Sequence, residues 1–245
     1  MELNGRVALV TGGARRVGRA TCLALAEAGC DCLLTYRRSV DEAASLVERI
    51  ESMGRRAWAV EHDLEADDAA EALEAAVRER TSRLDVLVHN ASIFERTGWG
   101  RVTGASWRRQ MRINAESPVM ATQSLSDMLR ADGGGRVIHF VDIHVMGRPR
   151  RGYAAYNASK AALLEMTRTL ALELAPEVTV NAIAPGVVAW AEGMSASERE
   201  AYLEATPLER AGTPGDAAKA VVFLARGADY VTGQVIRIDG GRWLG

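Results

Sequence analysis

The chain has 245 residues, long for one average domain and short for two, and a chain of this length buries roughly 70–75% of its unfolded surface. Apolar residues make up 48% and charged residues 25%, the proportions of an ordinary globule. A net charge of −2 argues against nucleic acid or an anionic membrane as the main partner, and no run approaches the roughly 18 consecutive apolar residues of a membrane span.

Met1 to Gly5 leads straight into a β-rich run with no basic or apolar leader, so no signal peptide is expected. Strands are predicted over 6–11, 31–36, 57–60 and 85–89, separated by helices over 16–28, 40–53 and 66–80. A long helix is predicted over 106–129, then a strand over 135–141 and a helix over 154–174. Strands over 178–184 and 234–238 complete the pattern. Near-continuous apolar strands alternating with helices predict an α/β fold. It is a single doubly wound, Rossmann-type parallel sheet of seven strands with helices on both faces, in one domain spanning 1–245. Residues 187–213 break into loop and short helix and are expected to form a substrate lid. Cys22, Cys30 and Cys32 are an odd count without metal-site spacing. They are expected to be buried reduced thiols in a cytoplasmic protein that holds no metal.

Thr11-Gly12-Gly13-Ala14-Arg15-Arg16-Val17-Gly18 joins the first strand to the first helix. Small residues there let the backbone approach a pyrophosphate, and the helix N-terminus supplies N–H groups and a positive dipole end. The alternative is an ordinary tight turn. A site for NAD often has an acidic residue after the second strand, for the ribose 2′-hydroxyl. Here the strand ends Thr35-Tyr36-Arg37-Arg38-Ser39, where an arginine would pair with a 2′-phosphate, so NADP(H) is the expected cofactor. The alternative reading of Arg37 and Arg38 is two solvated arginines at a helix start.

Tyr156 and Lys160 stand four residues apart at the start of a predicted helix and therefore share one face. A cation beside the phenol is expected to lower its pKa from ~10 and make Tyr156 a proton donor near neutral pH. Lys160 is one of only two lysines in an arginine-based chain.

With these landmarks the chain resembles the short-chain dehydrogenase/reductases over essentially its whole length. The matching segments are the Thr11–Gly18 turn, His89-Asn90-Ala91-Ser92, Asn114, Tyr156 with Lys160, Asn181 to Gly186, and Asp239-Gly240-Gly241. The resemblance implies that Asn114 holds a water-linked proton relay behind the lysine. It also implies that Asp63 and Leu64 lie near the adenine, that Asn90 and Ala91 border the cofactor, and that Pro185, Gly186 and Val187 border the nicotinamide. A cytoplasmic homotetramer and a small-molecule substrate are implied in the same way.

Two positions depart from the family pattern. Arg16 stands where the turn usually has its middle glycine, and no serine occupies the strand before the tyrosine; Asp142 stands about there. An ionised carboxylate accepts hydrogen bonds and cannot donate one to a carbonyl, so Asp142 suits a substrate with N–H donors or one that needs a proton delivered. Both departures, with Asn90-Ala91-Ser92-Ile93-Phe94 and the ending Asp239 to Leu244, are similar to the pteridine reductase and dihydrofolate/dihydromonapterin reductase branch. That resemblance implies that Phe94 stacks on a pterin, that Ser92 bonds it, and that Arg16 touches both pyrophosphate and pterin. Each residue keeps a structural alternative: Phe94 as a loop anchor, Ser92 as a turn residue, Arg16 as a surface residue, Asp142 as a cap. His139 and His144 are given no role, while Trp99 and Trp107 are read as packing residues and Trp190 as packing or lid lining.

The reading that follows is an NADPH-dependent reductase of a pterin-like C=N bond, with Tyr156, Lys160, Asn114 and Asp142 in the proton chemistry. The alternatives are the same fold acting on a 3-oxoacyl thioester, sugar, ketone or other imine, and a non-catalytic NADP-binding sensor.

Overall fold

Val7–Val10 (β1), Val86–His89 (β4) and Arg136–Phe140 (β5) are buried at every position. Strands apolar on both faces belong in the middle of a parallel sheet that helices cover on both sides. The computed structural model describes residues 1–190 and 193–244. It adds Asp31–Tyr36 (β2) and Ala57–Glu61 (β3) on one side, and Thr179–Pro185 (β6) and Val235–Ile238 (β7) on the other. All pair in parallel in the order β3-β2-β1-β4-β5-β6-β7. Strand order reverses at β1, and the crevice beyond the carboxyl ends of β1 and β4 is where such sheets bind ligands.

Helices Arg16–Glu27 (α1), Val40–Glu51 (α2) and Pro214–Arg226 (α9) cover one face, burying Leu25, Leu46, Ile50, Val221 and Leu224 against β1, β2 and β4. Ala69–Arg80 (α3), Ser117–Ser124 (α5), Ser126–Arg130 (α6) and Ala154–Glu173 (α7) cover the other, with Leu73, Val77, Leu125, Leu129 and Leu174 in the core. Gly104–Met111 (α4) leads into α5, and Ala196–Glu204 (α8) lies between β6 and α9.

Three elements differ from expectation. The helix predicted over 106–129 is divided: α4 passes into a π turn at Arg112–Glu116, then α5 and α6. Pro118 explains the break, since it has no N–H to return to the carbonyl of Asn114 one turn earlier. Helix α9 was absent from the predicted pattern, yet its cap is complete. The Thr213 hydroxyl accepts from the Asp216 N–H at 3.1 Å, and the Asp216 carboxylate accepts from the Thr213 N–H at 2.9 Å. Helix α3 begins later than residue 66, because residues 63–66 are held in a turn by Ala66 N–H to the Asp63 carbonyl and Glu65 N–H to the Asp63 carboxylate.

Cys22, Cys30 and Cys32 are buried free thiols, and burial pushes Cys22 and Cys30 up to about 12. Among the described residues, no helix is long and apolar enough to cross a membrane, and no group of acids, cysteines and histidines is placed to hold a metal ion.

Candidate active site

The glycine-rich turn sits at the sheet's switch point and is held from both sides. Asn90 donates its amide to the carbonyls of Thr11 and Gly12 at 2.9 and 3.0 Å. The Thr11 hydroxyl accepts from the N–H groups of Asn90 and Ala91, and Gly12 N–H donates to the Thr35 hydroxyl at 3.1 Å. A Cβ on Gly18 would lie 2.1 Å from the Gly12 carbonyl oxygen, so only glycine lets the helix start this close to the turn. Arg15 makes no side-chain cap at the start of α1, and the helix has no acid in its first turn, which leaves its positive end open to a phosphate. The cradle therefore fits a dinucleotide pyrophosphate.

Arg16 has φ +50°, the left-handed region where glycine is the easy choice, which matches its place at the family's middle glycine. Its guanidinium donates to the carbonyls of Ala189 at 3.2 Å and Trp190 at 3.1 Å, so it ties the turn to the segment after β6. Arg16 is itself exposed to solvent. Val17 follows it on α1 and is partly buried.

Beyond the turn, a cavity lined by Tyr36, Arg37, Asp63, Leu64, Ala91 and Ser92 lies past the end of β2. Arg37 is not a free cation there: it pairs with Glu65 at 2.7 Å and Asp63 at 3.1 Å. Glu65 is also gripped by Arg109 through two bonds of 2.9 Å, and Arg109 reaches Glu95 as well. These arginines hold the Glu65 carboxyl below its ordinary value. Arg38 is exposed, Ser39 makes no capping bond at the start of α2, and Arg15 meets Glu42 at 3.5 Å.

The proton-handling groups converge beyond β5. Tyr156 on α7 is buried and donates its hydroxyl to Asp142 at 2.8 Å. The other Asp142 oxygen accepts from His144 N–H at 2.8 Å, which caps the short turn Ile143–Val145. Asp142 is thus both a cap and a partner of the tyrosine. Lys160, also buried, donates to the Phe140 carbonyl at 2.7 Å. Burial lowers its pKa to about 8 against the opposing pull of Asp142.

The tyrosine departs from expectation. Burial first, then the charge and hydrogen bond of Asp142, push the Tyr156 phenol well above its ordinary value; Arg150 pulls weakly the other way. The expected lowering by Lys160 fails because the ammonium is spent on a backbone carbonyl, while the phenol donates its hydrogen bond to a carboxylate. The phenol is accordingly neutral and loaded with its proton at neutral pH.

Asn114 lies in the π turn and uses its whole amide. Its oxygen accepts from Ile93 N–H at 2.9 Å, and its nitrogen donates to the Ile93 carbonyl and to the Ser159 hydroxyl, both at 3.0 Å. It therefore pins the loop bearing Ser92 and Phe94 to the helix bearing Tyr156 and Lys160. Behind Lys160, His89 and His139 lie side by side, 5.2 Å between centroids, hydrogen-bonded to Thr122 and Thr167. Burial lowers both pKa values, His89 to about 3, so both rings are neutral.

A cavity of about 390 Å³ opens beside Asp142. Its walls include Pro185, Gly186 and Val187 from the end of β6, and Met194, Glu198 and Tyr202 from the segment predicted as a lid. Tyr202 accepts from Val187 N–H at 2.8 Å and stacks edge-on with Trp190 at 5.7 Å. Ala191 and Glu192, within that predicted segment, lie outside the described residues. Phe94 is half-exposed at the same corner, edge-on to Tyr156 at 4.7 Å, and Ser92 is exposed beside it. His144 lines the cavity, whereas Trp99 is almost fully exposed and packs against little. Sequence reasoning did not single out Tyr153, which stacks on Phe94 at 4.4 Å, nor Arg150, Tyr202 and Arg242. Tyr153 was findable: it stands three residues before Tyr156, the spacing of one helix face.

Residues 12–242 match the family described as Enoyl-(Acyl carrier protein) reductase. The 3-oxoacyl-(acyl-carrier-protein) reductase of Synechocystis is 37% identical over 245 residues, 98% of this chain and 97% of its own. FolM alternative dihydrofolate reductase 1 from Brucella canis, solved with NADP, matches with a TM-score of 0.92 at 33% identity, over 100% of this chain and 96% of that one. A blue fluorescent protein from a metagenomic library, solved with NADPH, gives a TM-score of 0.91 at 36% identity, with 99% of each chain covered. The chain belongs to the short-chain dehydrogenase/reductase family. Within that family it is a reductase, an NADP-dependent oxidoreductase acting on a small molecule.

Proposed function

We propose that this enzyme reduces a C=N bond of a pterin-type ring with NADPH. The observation that carries the reading is the Asp142–Tyr156 hydrogen bond at 2.8 Å. A site for simple carbonyls wants a second hydroxyl donor beside the tyrosine; this site has an acceptor, which takes a hydrogen bond from the tyrosine hydroxyl. An aminopyrimidine edge offers N–H donors to such a carboxylate, and the reduced nitrogen takes the proton. The relatives do not decide between substrates, since one is named for a 3-oxoacyl thioester and another for dihydrofolate. The carboxylate favours the second.

Gly12, Arg15 to Gly18 and Asn90 would hold the pyrophosphate of NADPH, and Tyr36 to Ser39, Asp63, Leu64, Ala91 and Ser92 its adenosine end; bound there, the cofactor would supply the hydride. Tyr156 gives its proton to the ring nitrogen. Asp142 orients the ring by accepting from its N–H groups and holds the Tyr156 hydroxyl in position. Lys160 keeps a positive charge under the site, and Asn114 fixes the spacing between the ring-binding loop and α7. Phe94 offers the exposed part of its ring for stacking, Ser92 a hydroxyl, and Arg16 a guanidinium placed between turn and lid. The described lid residues, 187–190 and 193–213, would cover the ring, with the Tyr202 hydroxyl accepting from Val187 N–H at 2.8 Å. Exposed Met120 on α5 and Leu172 on α7 support assembly through these helices, the cytoplasmic homotetramer that the family resemblance implies.

A second reading, reduction of a 3-oxoacyl thioester or another ketone, is favoured by the 37% identity to the Synechocystis reductase. Asp142→Ser separates the two. The pterin reading predicts that it lowers kcat/KM for dihydropterins by about a hundredfold, the effect of losing one positioned proton-handling group, with no gain on ketones. A gain on acetoacetyl thioesters with dihydropterin turnover unharmed would establish the second reading.

A further inference from the structure

The cavity beside Tyr156 carries two cations that reduction of a flat ring does not require. Arg150 and Arg242 both line it, and both are partly buried. Each guanidinium lies against aromatic rings. Arg150 is 4.9 Å from the Tyr153 centroid and 5.3 Å from that of Phe94; Arg242 is 5.4 Å from that of Tyr202. A guanidinium held against aromatic rings keeps N–H donors that can grip a planar or tetrahedral anion.

Neither arginine is ion-paired with a carboxylate among the described residues. The acids on the same walls are otherwise engaged. Asp142 accepts from His144 and Tyr156, and Glu198 accepts from the N–H and hydroxyl of Ser195 at 2.8 and 2.9 Å. Arg150 is near enough to Glu198 to lower its carboxyl pKa, yet among the described residues neither guanidinium is within ion-pair distance of a carboxylate, so each can offer N–H donors to an anion that enters the cavity. The aromatic contacts restrain these side chains, which reduces the rotamer freedom lost on binding.

We propose that Arg150 and Arg242 form an anion subsite at the mouth of the reduction site, which selects substrates carrying a carboxylate or phosphate on the substituent that leaves the reduced ring. The proposal rests on the pterin reading only for what lies deeper, against Asp142 and Phe94. A carboxylate would come from an aminobenzoyl-glutamate tail and a phosphate from a phosphorylated polyol tail. Both offer the paired oxygens that a guanidinium grips.

The test compares kcat/KM for dihydrofolate, dihydroneopterin phosphate and uncharged dihydrobiopterin, in wild type and in Arg150→Gln and Arg242→Gln. The expected result is a loss of about tenfold in the preference for an anionic over the uncharged substrate in each variant, carried by KM. The anionic substrate that loses more identifies the source. An unchanged ratio overturns the proposal. In parallel, aminobenzoyl-glutamate and inorganic phosphate are titrated calorimetrically into the NADP-loaded enzyme. Wild type is expected to bind one of them and the double variant neither; equal binding by both proteins, or none by wild type, also overturns it. This second arm needs no turnover, so wild type that reduces no pterin yet binds the tail would remove the pterin reading and leave the anion subsite standing.

Discussion

Tyr156 donates its hydroxyl to Asp142 at 2.8 Å, and that bond together with burial sets how tightly the phenol holds its proton. A phenol pushed up by burial and a neighbouring carboxylate carries its proton at neutral pH but gives it up less readily than a free phenol, so the accepting ring nitrogen has to be basic enough to take it. Tyr156→Phe keeps the ring and its packing against Phe94 while removing the proton. It is expected to cut turnover by about a thousandfold and leave NADPH affinity, read by fluorescence titration, unchanged. Lys160 supplies the pH dependence. Its pKa of about 8 means that the ammonium is present below that pH and lost above it, so kcat for reduction should fall as pH rises through about 8. Unfolding does not explain such a limb. A lysine whose pKa drops from 10.5 on folding leaves the unfolded chain binding more protons between about 8 and 10.5, so stability rises with pH there. A flat profile to pH about 9.5, with the fold intact by circular dichroism, would contradict this role. Tyr156 and Lys160 were legible in the sequence, because their spacing is local. The sign of the phenol shift was not, because it depends on Phe140 and Asp142, which only the meeting of β5 and α7 brings to bear.

At the scale of elements, period and caps decided what could be read. The seven strands and most helices follow from alternating apolar runs, and their observed ends fall within a few residues of prediction. Asn114 was placed by resemblance on one long helix, whereas the chain there turns through a π turn ahead of Pro118. That irregularity aims the Asn114 amide at Ile93 and Ser159, a geometry that no periodicity encodes. Helix α9 illustrates the reverse case, since its signal was present in Thr213-Pro214-Gly215-Asp216. Thr213→Ala removes the capping box and should cost about 1 kcal/mol, lowering Tm by roughly 2–4 °C. Because α9 packs on α1 away from Asp142, kcat at room temperature should not change. A fall in kcat equal to that of an active-site variant would mean that α9 positions the site more directly than its packing indicates.

Across the whole molecule, one switch point gathers residues from distant parts of the chain. Arg16 links the turn after β1 to the segment after β6, and the chain of Arg37, Glu65, Arg109 and Glu95 runs from the end of β2 to the loop carrying Phe94. Arg37 reaches any phosphate only in competition with Asp63 and Glu65, so exposed Arg38 is the freer partner for a 2′-phosphate. Arg38→Ala is expected to raise the KM for NADPH about tenfold while that for NADH stays within about twofold. Equal changes for both would place the phosphate elsewhere.

The central claim is the pterin substrate, and the direct measurement is NADPH oxidation by wild type, followed through its near-ultraviolet absorbance. The panel is dihydrobiopterin, dihydromonapterin and dihydrofolate beside ketones and acetoacetyl thioesters. Turnover confined to the pterins is the predicted result. Turnover confined to the carbonyls would contradict it, leaving the fold and Tyr156 in place and removing the role given to Asp142.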